Sequence, residues 1–171
     1  MSNRTVTASA GCTAAAAAVL ALVPGGAAAA PSGGQSQLAA VRQATVQYHD
    51  VDRAIADGYK ADPQCVPGMG YHYVNLALFG APLNPLKPAA LLYAPSGNGR
   101  LKLVGVEYFV VDADQNPATH NAVRPELFGQ AFDGPMPGHG PGMPVHYDLH
   151  VWTHEANPAG VFSPWNPKVS C

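Results

Sequence analysis

The sequence predicts an α+β domain: one N-terminal amphipathic helix packed on an antiparallel β-sheet or partly closed barrel, rich in loops and tied by one disulfide. Three observations carry this expectation. Helical spacing of apolar residues is convincing only once, over residues 37–57. Beyond residue 65 the chain reads mostly as short aromatic and branched runs separated by turn residues. Glycine and proline number 18 and 17 among 171 residues, more proline than a long-helix protein tolerates.

Residues 1–29 read as a secretory signal peptide. Arg4 makes the start positive and is the only charge before Arg42. Residues 14–23 form a short apolar run that Pro24, Gly25 and Gly26 break. Ala27, Ala28 and Ala29 then fit a small-residue cleavage rule. The run falls short of the about 20 strongly apolar residues of a membrane span, so the cleaved product is expected to be secreted, with no membrane contact. Cys12 lies before the apolar run, where a lipidated cysteine would follow it. Residues 30–36 read as a flexible leader and 37–171 as a single globular domain. That domain keeps Cys65 and Cys171, which in an exported protein normally pair.

Within the domain, Leu38, Val41, Thr45, Tyr48 and Ile55 recur at helical spacing, with Gln43, Gln47, Asp50 and Arg53 mostly opposite. Gly58 supplies a C-terminal stop and Pro63 blocks continuation. Residues 71–79 read as strand, and 80–88, with Pro82, Pro85 and Pro88, as loop. Residues 90–94 and 101–111 flank a Pro-Ser-Gly-Asn-Gly-Arg turn and read as a β-hairpin. Residues 112–125 read as polar loop and 126–132 as a short helical turn. Residues 133–144 hold eight Gly or Pro in twelve and are expected to be irregular. Residues 145–153 read as strand, and the Pro-broken tail is expected to pack through Phe162 and Trp165.

Charge and composition exclude some functions. Charged residues are only 12% and the net charge is −2, so nothing favours a nucleic-acid partner bound through phosphate neutralisation. Apolar content of 47% excludes a charge-repelled disordered chain. Against this background seven histidines stand out.

The strongest internal echo sets Pro67-Gly68-Met69-Gly70-Tyr71-His72-Tyr73 against Pro141-Gly142-Met143-Pro144-Val145-His146-Tyr147, which agree at five of seven positions. Both stand where a Gly/Pro loop enters a strand, so His72 and His146 are expected at similar depths and a common site. Met136-Pro137-Gly138-His139 is a partial echo, so Met69, Met136 and Met143 each lie three residues before a histidine.

On the last strand His146, Asp148, His150 and Trp152 share one face. Neighbours on a face lie about 6.5–7 Å apart, a span that two ligands of one ion can bridge. His146 and His150 lie about 13 Å apart, so an ion would take one of them with partners from other strands unless the strand bends. Simple alternation puts Glu107 with Leu101, Leu103 and Phe109, opposite Lys102. Lysine seeks water, so Glu107 is expected inside, where a carboxylate must be paired, protonated or metal-bound. His49, His120 and His154 read as surface residues. No P-loop, GxGxxG, G-x-S-x-G or HExxH phrase occurs.

The phrases Pro-Gly-Met-Gly-Tyr-His72-Tyr, Gly-Val-Glu107-Tyr and His146-Tyr-Asp-Leu-His150-Val-Trp, with the ending Asn-Pro-Ala-Gly-Val-Phe-Ser-Pro-Trp-Asn-Pro-Lys-Val-Ser-Cys171, resemble a family of secreted bacterial proteins, mainly actinobacterial. The resemblance spans about residues 40–171. It implies export and a two-cysteine pattern, and it assigns no activity. Members typically carry a second tryptophan just after the His-x-x-x-His strand, where this chain has Thr153-His154-Glu155.

Three functions compete on these residues. The first is a metal site of His72, Glu107, His146 and His150, supported by Asp148, Tyr73, Tyr147 and Trp152. It would take a divalent transition metal (zinc, iron, manganese or copper). With an open position it would serve hydrolytic, oxidative or lyase-type chemistry on a small molecule, Glu107 acting as ligand or general base. The second is a non-catalytic small-molecule or partner-binding module lined by tyrosines and tryptophans. The third is extracytoplasmic copper binding through Met69, Met136, His139 and Met143.

Overall fold

The computed structural model describes residues 1, 3, 32–120, 123–140 and 142–171. The segment read as a signal peptide lies outside the described residues, apart from Met1 and Asn3. Among the described residues no helix is long and apolar enough to cross a membrane.

The helical part differs from the expected single amphipathic helix. It comprises α1 (Ser32–Thr45), a 3-10 turn (Val46–His49) and α2 (Val51–Ala56). The helix thus begins inside the stretch read as leader. Asp50 breaks the run and caps α2, its side chain accepting from the Asp52 N–H at 3.1 Å. The apolar stripe is thin, because Val41 and Ala54 are buried whereas Val46 and Ile55 are exposed. Gly58 ends the run with φ +95°, as its position suggested.

Strands β1 (Lys60–Val66), β2 (Gly70–Val74), β3 (Ala90–Pro95), β4 (Leu101–Val111), β7 (Asp133–Met136) and β8 (His146–Val151) form one antiparallel sheet in the order β1-β2-β3-β4-β8-β7. The sheet is open, so the barrel alternative falls. The β3–β4 hairpin stands as expected. β1, an edge strand that tolerates Pro63, went unrecognised because of that proline. Residues 126–132 form a small hairpin, β5 (Glu126–Leu127) and β6 (Gln130–Ala131), rather than a helical turn. Residues 133–136 pair with β8 despite their Gly-Pro content.

The two faces differ in kind. One carries Tyr73, Leu91, Tyr93, Val106, Tyr108, Tyr147, Leu149 and Val151, packed with Val41, Ala54, Phe132 and Phe162 into the main core. The other carries two smaller apolar clusters. Leu92, Ala94, Val104, Trp152 and Val169 form one, and Ala90 and Phe109, with Phe79 and Met143, form the other. Glu107, Asp148 and His150 are buried on this second face. The tail reaches it too: Cys171 is bonded to Cys65, and Gly68 N–H donates to the Val169 carbonyl at 3.0 Å.

A β-bulge decides which face Glu107 takes. Leu92 pairs with Gly105 but the next residue, Tyr93, pairs with Leu103, so Val104 is extra in β4. Glu107, Gly105 and Lys102 lie opposite Ala90, Leu92 and Ala94, which alternate along β3 on one face. Glu107 therefore shares a face with Lys102 rather than opposing it. It is buried, as expected, for a different reason: Lys102 sits at the strand's outer end and reaches Glu155 at 2.6 Å.

Candidate metal centre

The centre is assembled from three strands. His72 on β2 shares a row with Leu92 and, across β3, with Gly105. Glu107 on β4 pairs with Ala90 on one side and His150 of β8 on the other. Gly105 has one use within this row: a Cβ there would lie 3.3 Å from Leu92 Cδ1. Gly105 has a second use: a Cβ there would lie 3.2 Å from the Trp152 ring. Trp152 in turn stacks on His150, with ring centroids 6.4 Å apart at 24°.

One ligand atom each from His72, Glu107 and His150 lies within 4.8 Å of the others. His72 Nε2 is 3.5 Å from Glu107 Oε2, and His150 Nε2 is 3.5 Å from Glu107 Oε1. A first-row ion with bonds of about 2.0–2.2 Å holds donors up to about 4.4 Å apart, so shifts of a few tenths of an ångström complete the fit. The cluster could hold a metal ion.

The electrostatics suit a cation. Burial lowers the His72 pKa to about 4 and the His150 pKa to about 3, so both rings are neutral at pH 7 with lone pairs free. The 3.5 Å separations are therefore not ion pairs. Both ring nitrogens of His150, and Glu107 Oε2, are buried without a hydrogen-bond partner. Orphaned polar atoms of this kind cost about 1–3 kcal/mol each, and metal bonds would remove the cost. Glu107 is held well above the ordinary carboxyl range, first by burial, then by the charge of Asp148 and a hydrogen bond to it. Asp148 is raised too, by burial first and the Asp133 charge second. The carboxyl pair thus retains a proton that a cation would displace.

His146 does not join the centre. β2 and β8 run antiparallel, so two matching loop-to-strand entries lie at opposite ends of the sheet. His72 shares the row of Gly105 and His146 that of Val111, roughly 20 Å along β4. The His146 ring lies instead among Phe79 and Phe109, with centroids 5.6 and 5.3 Å away. Tyr73 and Tyr147 lie in the main core, on the sheet face opposite Glu107 and His150. Asp148 and Trp152 do flank the donors. His154, read as a surface residue, is half-buried and bonded to Thr45 at 2.9 Å. Among the copper candidates Met69 lies on the β1–β2 turn, away from Met136, His139 and Met143 around β7 and the loop before β8.

Asp62 of β1, near enough to raise the His72 pKa, was missed. It has no sequence signal, since it acts across the fold. The bulge had one: a lone glycine inside a strand run, Gly105. A cleft of about 670 Å³ lined by Leu83, Val110, Val123 and Arg124 contains none of the donors. No family model, curated protein or solved structure matches the chain.

Proposed function

We propose that the protein is an exported domain that binds one divalent transition metal through His72, Glu107 and His150. The observation that carries this reading is three donors held within 4.8 Å of one another, of which Glu107 Oε2 and the His150 ring nitrogens are buried without a hydrogen-bond partner. Two imidazoles and one carboxylate suit zinc and ferrous iron best, with manganese and copper behind them. The signal-like segment 1–29, the family resemblance and the Cys65–Cys171 bond support an oxidising, extracytoplasmic setting.

Three protein donors leave a metal with open positions, and a metal so held polarises water or the oxygen of a small-molecule ligand. A ligand would approach past His72, whose side chain is 17% exposed against 2% for His150. The proton shared by Glu107 and Asp148 lies beside those positions. Hydrolytic, oxidative and lyase-type reactions all use such an arrangement.

Elemental analysis of protein exported by a bacterial host tests the reading. About one metal per chain is expected in the wild type, falling to background in His150→Ala and Glu107→Gln. Metal content unchanged by both substitutions removes it. An absence of metal, with melting unaffected by added zinc or iron, favours the non-catalytic binding module instead.

A further inference from the structure

His146 is fully buried, and its Nε2 has no hydrogen-bond partner. Its other nitrogen, Nδ1, faces the Pro144 carbonyl at 2.9 Å. A carbonyl only accepts, so Nδ1 carries the proton and Nε2 presents a lone pair. This is how metal-binding imidazoles are commonly oriented. The first centre does not use that lone pair, because His150 stands about 13 Å along the same strand.

The surroundings of that lone pair are soft. The imidazole of His139 lies at a centroid distance of 5.2 Å and 74° from that of His146. The Met143 sulfur accepts the His139 backbone N–H at 3.4 Å, which draws the thioether to the same loop. Met136 pairs directly with His146 across β7 and β8, and such partners share a face. The loop is held in this shape at Gly138, where a Cβ would fall 2.0 Å from the Met143 carbonyl oxygen. Phe79 and Phe109 supply an apolar wall.

We propose that His146, His139 and Met143, with Met136 beside them, form a second site, specific for a cuprous ion. Thioether and imidazole donors select Cu(I) over harder divalent ions, and neutral donors against an aromatic wall suit a single positive charge. The two Met-x-x-His phrases around β7 and β8 are thereby brought to one place, whereas Met69 is not part of it. The site does not depend on the first centre.

The test is Cu(I) titration of the oxidised mature protein under ascorbate, against a chromophoric Cu(I) chelator. Glu107→Gln, which disables the first centre, should still take about one Cu(I) per chain. His139→Ala and Met143→Leu, an exposed side chain and a volume-conserving exchange, should each weaken Cu(I) binding by about tenfold or more, since even outer partners of metal ligands are worth about 10–100-fold. Both should leave zinc or iron content at the first centre unchanged. X-ray absorption of the Cu(I) form should show copper–sulfur scattering that Met143→Leu diminishes. Loss of Cu(I) uptake in Glu107→Gln, with none in the two loop variants, places copper at the first centre and overturns the proposal. So does a wild type that competes for no Cu(I).

Discussion

Burial and the charge of Asp148 both oppose ionisation of Glu107 in the metal-free protein. Its folded pKa lies above the unfolded value, so the native state holds the extra proton. Stability is therefore lost as pH rises from the ordinary carboxyl range through the raised one. Glu107→Gln removes that loss: the metal-free variant should be more stable than wild type at pH 8, by about 1–3 kcal/mol, with the gap closing toward pH 4. Urea midpoints at the two pH values check this, and a variant weaker at both would make Glu107 a structural support. Since His72 and His150 are already neutral at pH 6, metal uptake should take its proton from the carboxyl pair. Calorimetry of zinc binding at pH 6 in buffers of different ionisation heat should show about one proton released per ion; no release would mean the pair is already ionised. The three donors that lie together, His72, Glu107 and His150, were all legible from residue type and spacing. His146 was misplaced because matching local phrases say nothing about strand direction.

At the scale of elements, the hairpin and the final strand could be read from alternation, but the bulge at Val104 inverted the face argument for Glu107. The helix was misjudged because Asp50 is compatible with a helix interior yet a better cap. The repeated phrase gives a direct comparison. Gly70, at φ +88°, would place a Cβ 2.2 Å from the Tyr93 carbonyl oxygen, whereas a Cβ on Gly142, at φ +77°, meets nothing within 4 Å. Gly70→Ala should therefore cost well over the about 1–3 kcal/mol of a strained backbone alone and should weaken metal binding through His72. Gly142→Ala should cost only the backbone strain. Equal denaturation midpoints for the two would refute the difference. His154 links α1 to the segment after β8. The Thr45 hydroxyl donates to the Val41 carbonyl, so it accepts from His154 Nε2, and the ring is neutral with its pKa lowered to about 4, chiefly by burial. The unfolded chain protonates this histidine near pH 6.5 and the native one near 4, so stability falls as pH drops through that window. His154→Gln should flatten the fall by about 1 kcal/mol, discounted because the ring is part-exposed, and urea unfolding at pH 7 and 4.5 reads it.

For the molecule as a whole, the α+β class and the Cys65–Cys171 bond were legible because composition and cysteine number constrain them directly. Strand order and the opposite placement of similar loops were not, because both depend on pairings between distant parts of the chain. Reduction of the disulfide should lower stability by about 4–5 kcal/mol at most, seen as a shift of the urea midpoint with a phosphine reductant. If the midpoint stays put, the tail is held by packing of Val169 and Asn166 alone. Chelation should lower the melting temperature of the metal-loaded protein and leave Glu107→Gln unmoved. The sulfur link joins positions 65 and 171 while the donors run from 72 to 150, so a bound ion would close a smaller ring nested inside a larger one. The outer ring keeps the ends of the inner one from drifting apart in a heated chain. Oxidised protein should thus regain its ion on cooling at lower metal concentrations than reduced protein.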